Sequence, residues 1–135
     1  MKSKMTVVLL LCALAFSPFA ANAQGSRIQL SQIEAMFANM RAKAPWNVDG
    51  PLLWGYFFFD PSREKLERAA KELQASGYKL VAISEVQGQQ RYRLHVERVE
   101  VHSPASLNAR NVALYALADR LSIASYDGMD VGPAN

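Results

Sequence analysis

The chain has 135 residues, with 15 Lys and Arg against 12 Asp and Glu, two histidines and a single cysteine. That length fits one domain behind a short leader, and one cysteine excludes an internal disulfide. Two of the basic residues, Lys2 and Lys4, stand in the leader; without them 13 basic residues face 12 acidic ones, which is no surplus of cations for binding phosphates.

Met1-Lys-Ser-Lys-Met5 places two lysines before an apolar run from Val7 to Phe16. Pro18 then breaks the run, and Ala21-Asn-Ala23 offers small residues at a cleavage position. Basic, apolar, then small-x-small is the pattern of a secretory signal peptide, and the apolar run is too short to span a bilayer. A membrane anchor would call for stop-transfer charges or a second apolar stretch, and neither follows. Cys12 lies within the leader behind Leu11, not behind the small residue that a lipoprotein signal requires. The expected product starts at Gln24, has no thiol, works in the periplasm or beyond the cell, and does not associate with the membrane after cleavage.

Residues 24–30 read as a tether. Ser31-Gln-Ile-Glu34 has the spacing of a capping box, and Ile33, Met36, Phe37 and Met40 follow as one helical stripe that Pro45 ends. Leu52 to Phe59 is an aromatic-rich strand. Asp60-Pro61 then opens a helix, with Asp60 as the expected cap. Its buried stripe is Leu66, Ala69, Ala70 and Leu73, its wet side pairs Glu64 with Arg68 and Glu67 with Lys71, and Gly77 stops it. Tyr78 to Val86 is the second strand, and Gln87 to Gln90 makes a hairpin. In the third strand, Arg91 to Val101, the apolar phase slips after Val96, which predicts a bulge near Glu97-Arg98. Ser103-Pro104 starts the last helix, with Leu107, Leu114, Leu117, Ala118 and Leu121 on its stripe. Ser125 to Val131 is the last strand, and residues 132–135 are a tail. After the first helix the order is β-α-β-β-α-β. It predicts an α+β, ferredoxin-like sandwich over residues 31–131 with an extra N-terminal helix.

Candidates for chemistry are few. No hydrolase, zinc-protease or phosphate-loop motif is present, and neither a cofactor nor a catalytic group is expected. His95 and His102 stand seven residues apart on one strand, hence on opposite faces, and read as solvent-facing histidines rather than metal ligands. In Tyr126-Asp-Gly-Met-Asp130, an acid pair for proton transfer competes with Asp-Gly as a turn dipeptide, and the turn is preferred.

Three motifs in order carry a resemblance: Trp54-Gly-Tyr-Phe-Phe-Phe-Asp60, Leu73-Gln-Ala-Ser-Gly77-Tyr78 at a helix end, and Tyr126-Asp-Gly128 near the close. Over residues 31–131 the chain resembles the regulator of ribonuclease activity B family. Members typically follow Tyr-Asp-Gly with tryptophan and an acid; here Met129 replaces the tryptophan and Asp130 keeps the acid. The resemblance implies a ferredoxin-like, non-enzymatic inhibitor that binds another protein. The family's namesake target, ribonuclease E, is cytoplasmic and would not meet an exported chain, so the partner is left unassigned. An immunity protein against a delivered toxin is one concrete form. A peptidoglycan-binding module of the sporulation-related repeat type is the alternative, since Arg91-Tyr-Arg-Leu-His-Val96 before a capped helix is similar to the second half of those repeats.

The first strand is apolar on both sides, with Trp54, Tyr56 and Phe58 one way and Leu53, Phe57 and Phe59 the other. The helices of such a fold cover only one sheet face. The remaining row, beside the third strand's Arg91, Arg93, His95 and Glu97, has the composition of a protein-binding surface. It also suggests a single-stranded RNA platform, which export and the balanced charge disfavour. The candidate partner contacts are Arg91, Arg93 and His95, with Trp54 and Tyr56 from the aromatic strand and Tyr126, Asp127 and Asp130 from the closing segment. Cover by the first helix, or pairing of two copies as a homodimer, would also account for that row. For the leader, N-terminal sequencing of protein from a periplasmic extract should read from Gln24. Intact Met1 in the cytoplasm would overturn export.

Overall fold

The computed structural model describes residues 27–135, so the leader and its cleavage site fall outside it. The elements in chain order are α1 (Leu30–Lys43), β1 (Leu52–Asp60), α2 (Arg63–Ala75), β2 (Lys79–Val86), β3 (Arg91–Glu100), α3 (Pro104–Arg120) and β4 (Ser125–Pro133). The strands form one antiparallel sheet in the order β2-β3-β1-β4. This is the ferredoxin-like order expected from the sequence, with α1 added in front.

All three helices lie on one face of the sheet. Leu52, Trp54, Tyr56 and Phe58 alternate inward from β1, joined by Leu94 and Val96 of β3 and by Met129 and Val131 of β4. Leu66, Ala69, Ala70 and Leu73 cover them from α2, and Leu107, Leu114, Leu117 and Ala118 from α3. The α1 stripe of Ile33, Met36, Phe37 and Met40 is buried as its spacing required. It packs beside α3 within the helix layer, with Phe37 stacked on Trp54 at 6.1 Å between ring centroids. It therefore does not fold over the far face of the sheet.

Several local expectations shift. The α1 cap is Gln29, whose N–H donates to Gln32 Oε1 at 2.7 Å, and Ser31 lies inside the helix. The approach is pinned two residues earlier, where the Ile28 N–H donates to the Tyr115 hydroxyl and Arg27 bonds Asp119. The cap of α2 is Ser62, not Asp60. Asp60 is buried instead, and its two carboxylate oxygens accept from the N–H groups of Ser62 and Ala124, each at 2.7 Å. One side chain thus ties the start of α2 to the approach of β4. Ser103 and Pro104 open α3 as expected.

The bulge predicted near Glu97-Arg98 is absent, because β3 pairs with β1 without a break from Glu100 to Tyr92. The irregularities fall on the two edge strands, between Leu80 and Ala82 in β2 and at Asp127 in β4. β3 stays in phase, so Arg98 and Glu100 point into the helix layer while Val99 and Val101 turn out.

The helix face of α2 gives a stability test. Leu73 is buried against the sheet, so Leu73→Ala should cost about 2–5 kcal/mol in urea melts. Glu67 pairs across the solvent face with Arg63, not with Lys71, and Glu67→Ala should cost well under about 1 kcal/mol.

Candidate protein-binding face

The sheet face away from the helices is built from cross-strand rows. Reading from β4 through β1 and β3 to β2, one row is Asp130–Gly55–Glu97–Lys79. The next is Gly128–Phe57–His95–Ala82, and the third is Ser125–Phe59–Arg93–Ser84. Leu53 lies between Gly132 and Val99 at one end, and Arg91 pairs with Val86 at the other. No described residue outside the sheet strands is packed across these rows as a layer; the helices lie on the other face. Val99 is 52% exposed, and Phe57 and Phe59 are half-buried.

The aromatic and basic groups hold one another in place. The His95 ring stacks on Phe57 at 4.4 Å and 28°, and the Arg93 guanidinium lies 5.3 Å from the same ring. Arg91 lies 4.3 Å above Phe59. Cation–π contact of this kind orients a guanidinium while leaving its N–H donors free to face outward. Gly55 makes the central row fit. A Cβ built on it would stand 2.4 Å from Asp130 Oδ1 and 2.8 Å from His95 Nε2, so any side chain there would push both groups off the β1 backbone. His95 Nε2 is buried and has no hydrogen-bond partner among the described residues. Burial, with the charge of Arg93 added, lowers the His95 pKa to about 4, and the ring is neutral at physiological pH. Burial also raises the Asp127 pKa, against the opposing pull of Ser125 and Arg91.

The predicted contacts divide between two faces. Arg91, Arg93, His95 and Asp130 come together on the open face, with Asp127 at the bulge beside Arg91. Trp54 and Tyr56 do not reach it: both are 0% exposed, and Tyr126 is buried too. They present no surface to a partner, because inward alternation from β1 and β4 commits them to the core. The histidines take opposite faces as their spacing required, yet neither is simply solvent-facing. His95 is packed on Phe57, and His102 is buried with its ring edge-on to Trp54.

His102 belongs to a polar cluster that sequence reading missed. Glu100, its side chain 8% exposed, accepts from the Tyr56 hydroxyl at 2.8 Å and contacts Arg110, while His102 Nε2 lies 2.8 Å from the same carboxylate. Ser106 Oγ meets the other ring nitrogen at 2.8 Å. Arg98 joins at 3.4 Å from Glu100 and donates to the Ser76 carbonyl at the end of α2. Burial would raise the Glu100 pKa, but the hydrogen bonds from His102 and Tyr56 and the charge of Arg110 outweigh it and hold it at about 2. A carboxylate so saturated with donors is a structural tie and not a proton donor. The only signal in the sequence was the polar Arg98 and Glu100 at inward positions of β3. Among the described residues, no group of three or more His, Cys, Asp or Glu could hold a metal ion.

Residues 30–131 match the regulator of ribonuclease activity B family. The chain belongs to that family. No curated protein matches it. The motifs of the regulator of ribonuclease activity B domain acquire physical roles in this fold. Gly128 has φ +107° and forms the β4 bulge with Asp127, which turns both Tyr126 and Met129 inward although they are three residues apart. The Tyr126 hydroxyl donates to Asn111 Oδ1 at 2.6 Å, fixing β4 to α3. Met129, at the position where the family resemblance leads a tryptophan to be expected, is fully buried beneath α3 and 3.8 Å from the Asn111 amide nitrogen. Met129 is therefore a core residue, while Asp130 lies on the open face beside Gly55.

The depressed His95 pKa has a measurable consequence. The unfolded chain takes up the proton near the ordinary pKa of about 6.5, while the folded chain holds it off until about 4. Stability therefore falls as pH drops through that window. In urea melts across it, His95→Gln should lose less stability than the parent. Identical losses would show that the ring is protonated as readily in the fold as out of it.

Proposed function

We propose that this chain is an exported, non-catalytic regulator that binds and restrains a protein partner outside the cytoplasm, docking it on the open sheet face. The observation that carries this reading is the row of Phe57 and Phe59 held under Arg93, Arg91 and His95 on the one face that no helix covers. Rigid aromatics beside arginines, with few charges at the centre, are the composition of a protein-docking patch. Family membership supports the regulatory character, since the family is that of a regulator of ribonuclease activity. The leader read from the sequence supports export, and an immunity protein against a delivered toxin is the concrete form that joins the two. The charges of the face do not favour RNA. Lys79, Arg91 and Arg93 are offset by Glu97, Asp127 and Asp130, whereas a phosphate-binding surface is one-signed.

The test starts with capture from a periplasmic extract and purification of the identified partner. Arg93 is exposed, with its guanidinium 5.3 Å from the Phe57 ring, so Arg93→Glu should weaken the purified complex at least about tenfold. Its melting midpoint should stay within a degree or two of the parent. Undiminished binding would take the site off this face.

A further inference from the structure

We propose that two copies of this chain pair through the open sheet face, about a two-fold axis that runs parallel to the strands over the middle of the sheet, between β1 and β3. A two-fold interface requires a patch that complements itself. With four strands in the order β2-β3-β1-β4, this axis lays β3 of one copy over β1 of the other and β2 over β4. Each cross-strand row then meets its own image.

The rows are complementary under that operation. Lys79 comes opposite Asp130, a pair of opposite charges at both ends of the first row. Glu97, 4.0 Å from Lys79 of its own chain, comes opposite Gly55, the position on β1 without a side chain, beside which Asp130 Oδ1 and the unpartnered ring nitrogen of His95 lie. In the second row His95 faces Phe57, and Ala82 faces the equally small Gly128. In the third, Arg93 faces Phe59, and Ser84 faces Ser125. Exposed Val99 falls on Leu53. The one approach of like charges, Glu97 toward Asp130, is accompanied by Lys79, which lies 4.0 Å from Glu97 in its own chain and comes opposite Asp130, and in the other rows aromatic and planar groups meet at the centre.

The dimensions also suffice. Four strands about 4.8 Å apart, each about eight residues long at about 3.3 Å, cover roughly 500 Å² in plan. Two such faces remove on the order of 1,000 Å² from water, the lower bound for a specific interface. Sheets packed this way lie about 10 Å apart with strands within about 30° of parallel, which keeps the rows in step near the axis. The pairing does not rest on the target reading above; a target that uses the same face would compete with it.

Sedimentation equilibrium of the full-length chain, expressed from its complete coding sequence, tests the pairing. The parent should be a dimer. Lys79→Glu and Asp130→Lys should each raise the dimer dissociation constant at least about tenfold, because each sets like charges opposite at two symmetry-related places. An equimolar mixture of the two variants should recover a tight heterodimer. Circular dichroism confirms folding of each variant. If Asp130→Lys fails to fold, Val99→Arg, at an exposed position facing Leu53, should break the dimer in its stead. A monomeric parent at about 100 μM, well above the range of specific homodimers, would overturn the proposal. A dimer indifferent to both reversals, or a mixture that stays monomeric, would overturn it equally.

Discussion

A sheet covered by helices on one face only is the constraint on which the rest of this structure depends. β1 lies at the centre of that sheet and is apolar on both sides, with Trp54, Tyr56 and Phe58 inward and Leu53, Phe57 and Phe59 outward. Burying the inward set drives the sandwich together. The outward set cannot be covered by the same helices, because both crossovers deliver α2 and α3 to one side and α1 packs beside α3. Phe57 and Phe59 are instead roofed by arginines and an imidazole, which shield the rings partly from water and keep polar atoms at the surface.

The inner face closes with a polar tie as well as an apolar core. Glu100 gathers Tyr56, His102, Arg110 and Arg98 from β1, β3, α3 and the segment between them. Arg98 carries the tie on to the end of α2. Asp60 does similar work at the opposite end of β1, joining the start of α2 to the approach of β4. The two carboxylates stand at opposite ends of the same layer and fix how the helices sit on the sheet. Orientation of the sheet, and so of the open face, follows from both.

Much of this was legible in the sequence. The element order, the stripes of α2 and α3, and the two-sided apolar character of β1 follow from local periodicity and turn chemistry, which neighbouring residues determine. What misled was long-range. Val99 and Val101 suggested a slipped phase in β3, but the strand is straight, and the inward Arg98 and Glu100 are satisfied largely by residues distant in the chain, up to 44 positions away. Asp127-Gly128 reads as a turn in isolation and becomes a bulge only when β1 pairs alongside. The α1 stripe fitted either side of the sheet, since periodicity states that a helix must be covered and not by what. In the candidate site, alternation along β3 put Arg91, Arg93 and His95 on its non-core side, where they lie, whereas Asp130 reads as part of a separate closing segment and joins that face only through the pairing of β4 with β1. Trp54, Tyr56 and Tyr126 were not, because aromatic character alone does not distinguish a core residue from a contact.

Carbene footprinting with mass spectrometry, on protein diluted until it is monomeric, addresses the one-sided sheet most directly. Strong labelling of Phe57, Phe59 and Val99, with Trp54, Tyr56 and Phe58 spared, is the result expected of a face that is open to a partner. Labelling of the first set should then fade when target or excess chain is added. If Phe57 and Phe59 are as protected as Trp54 in the dilute protein, something in the chain already covers that face, and the docking surface lies elsewhere.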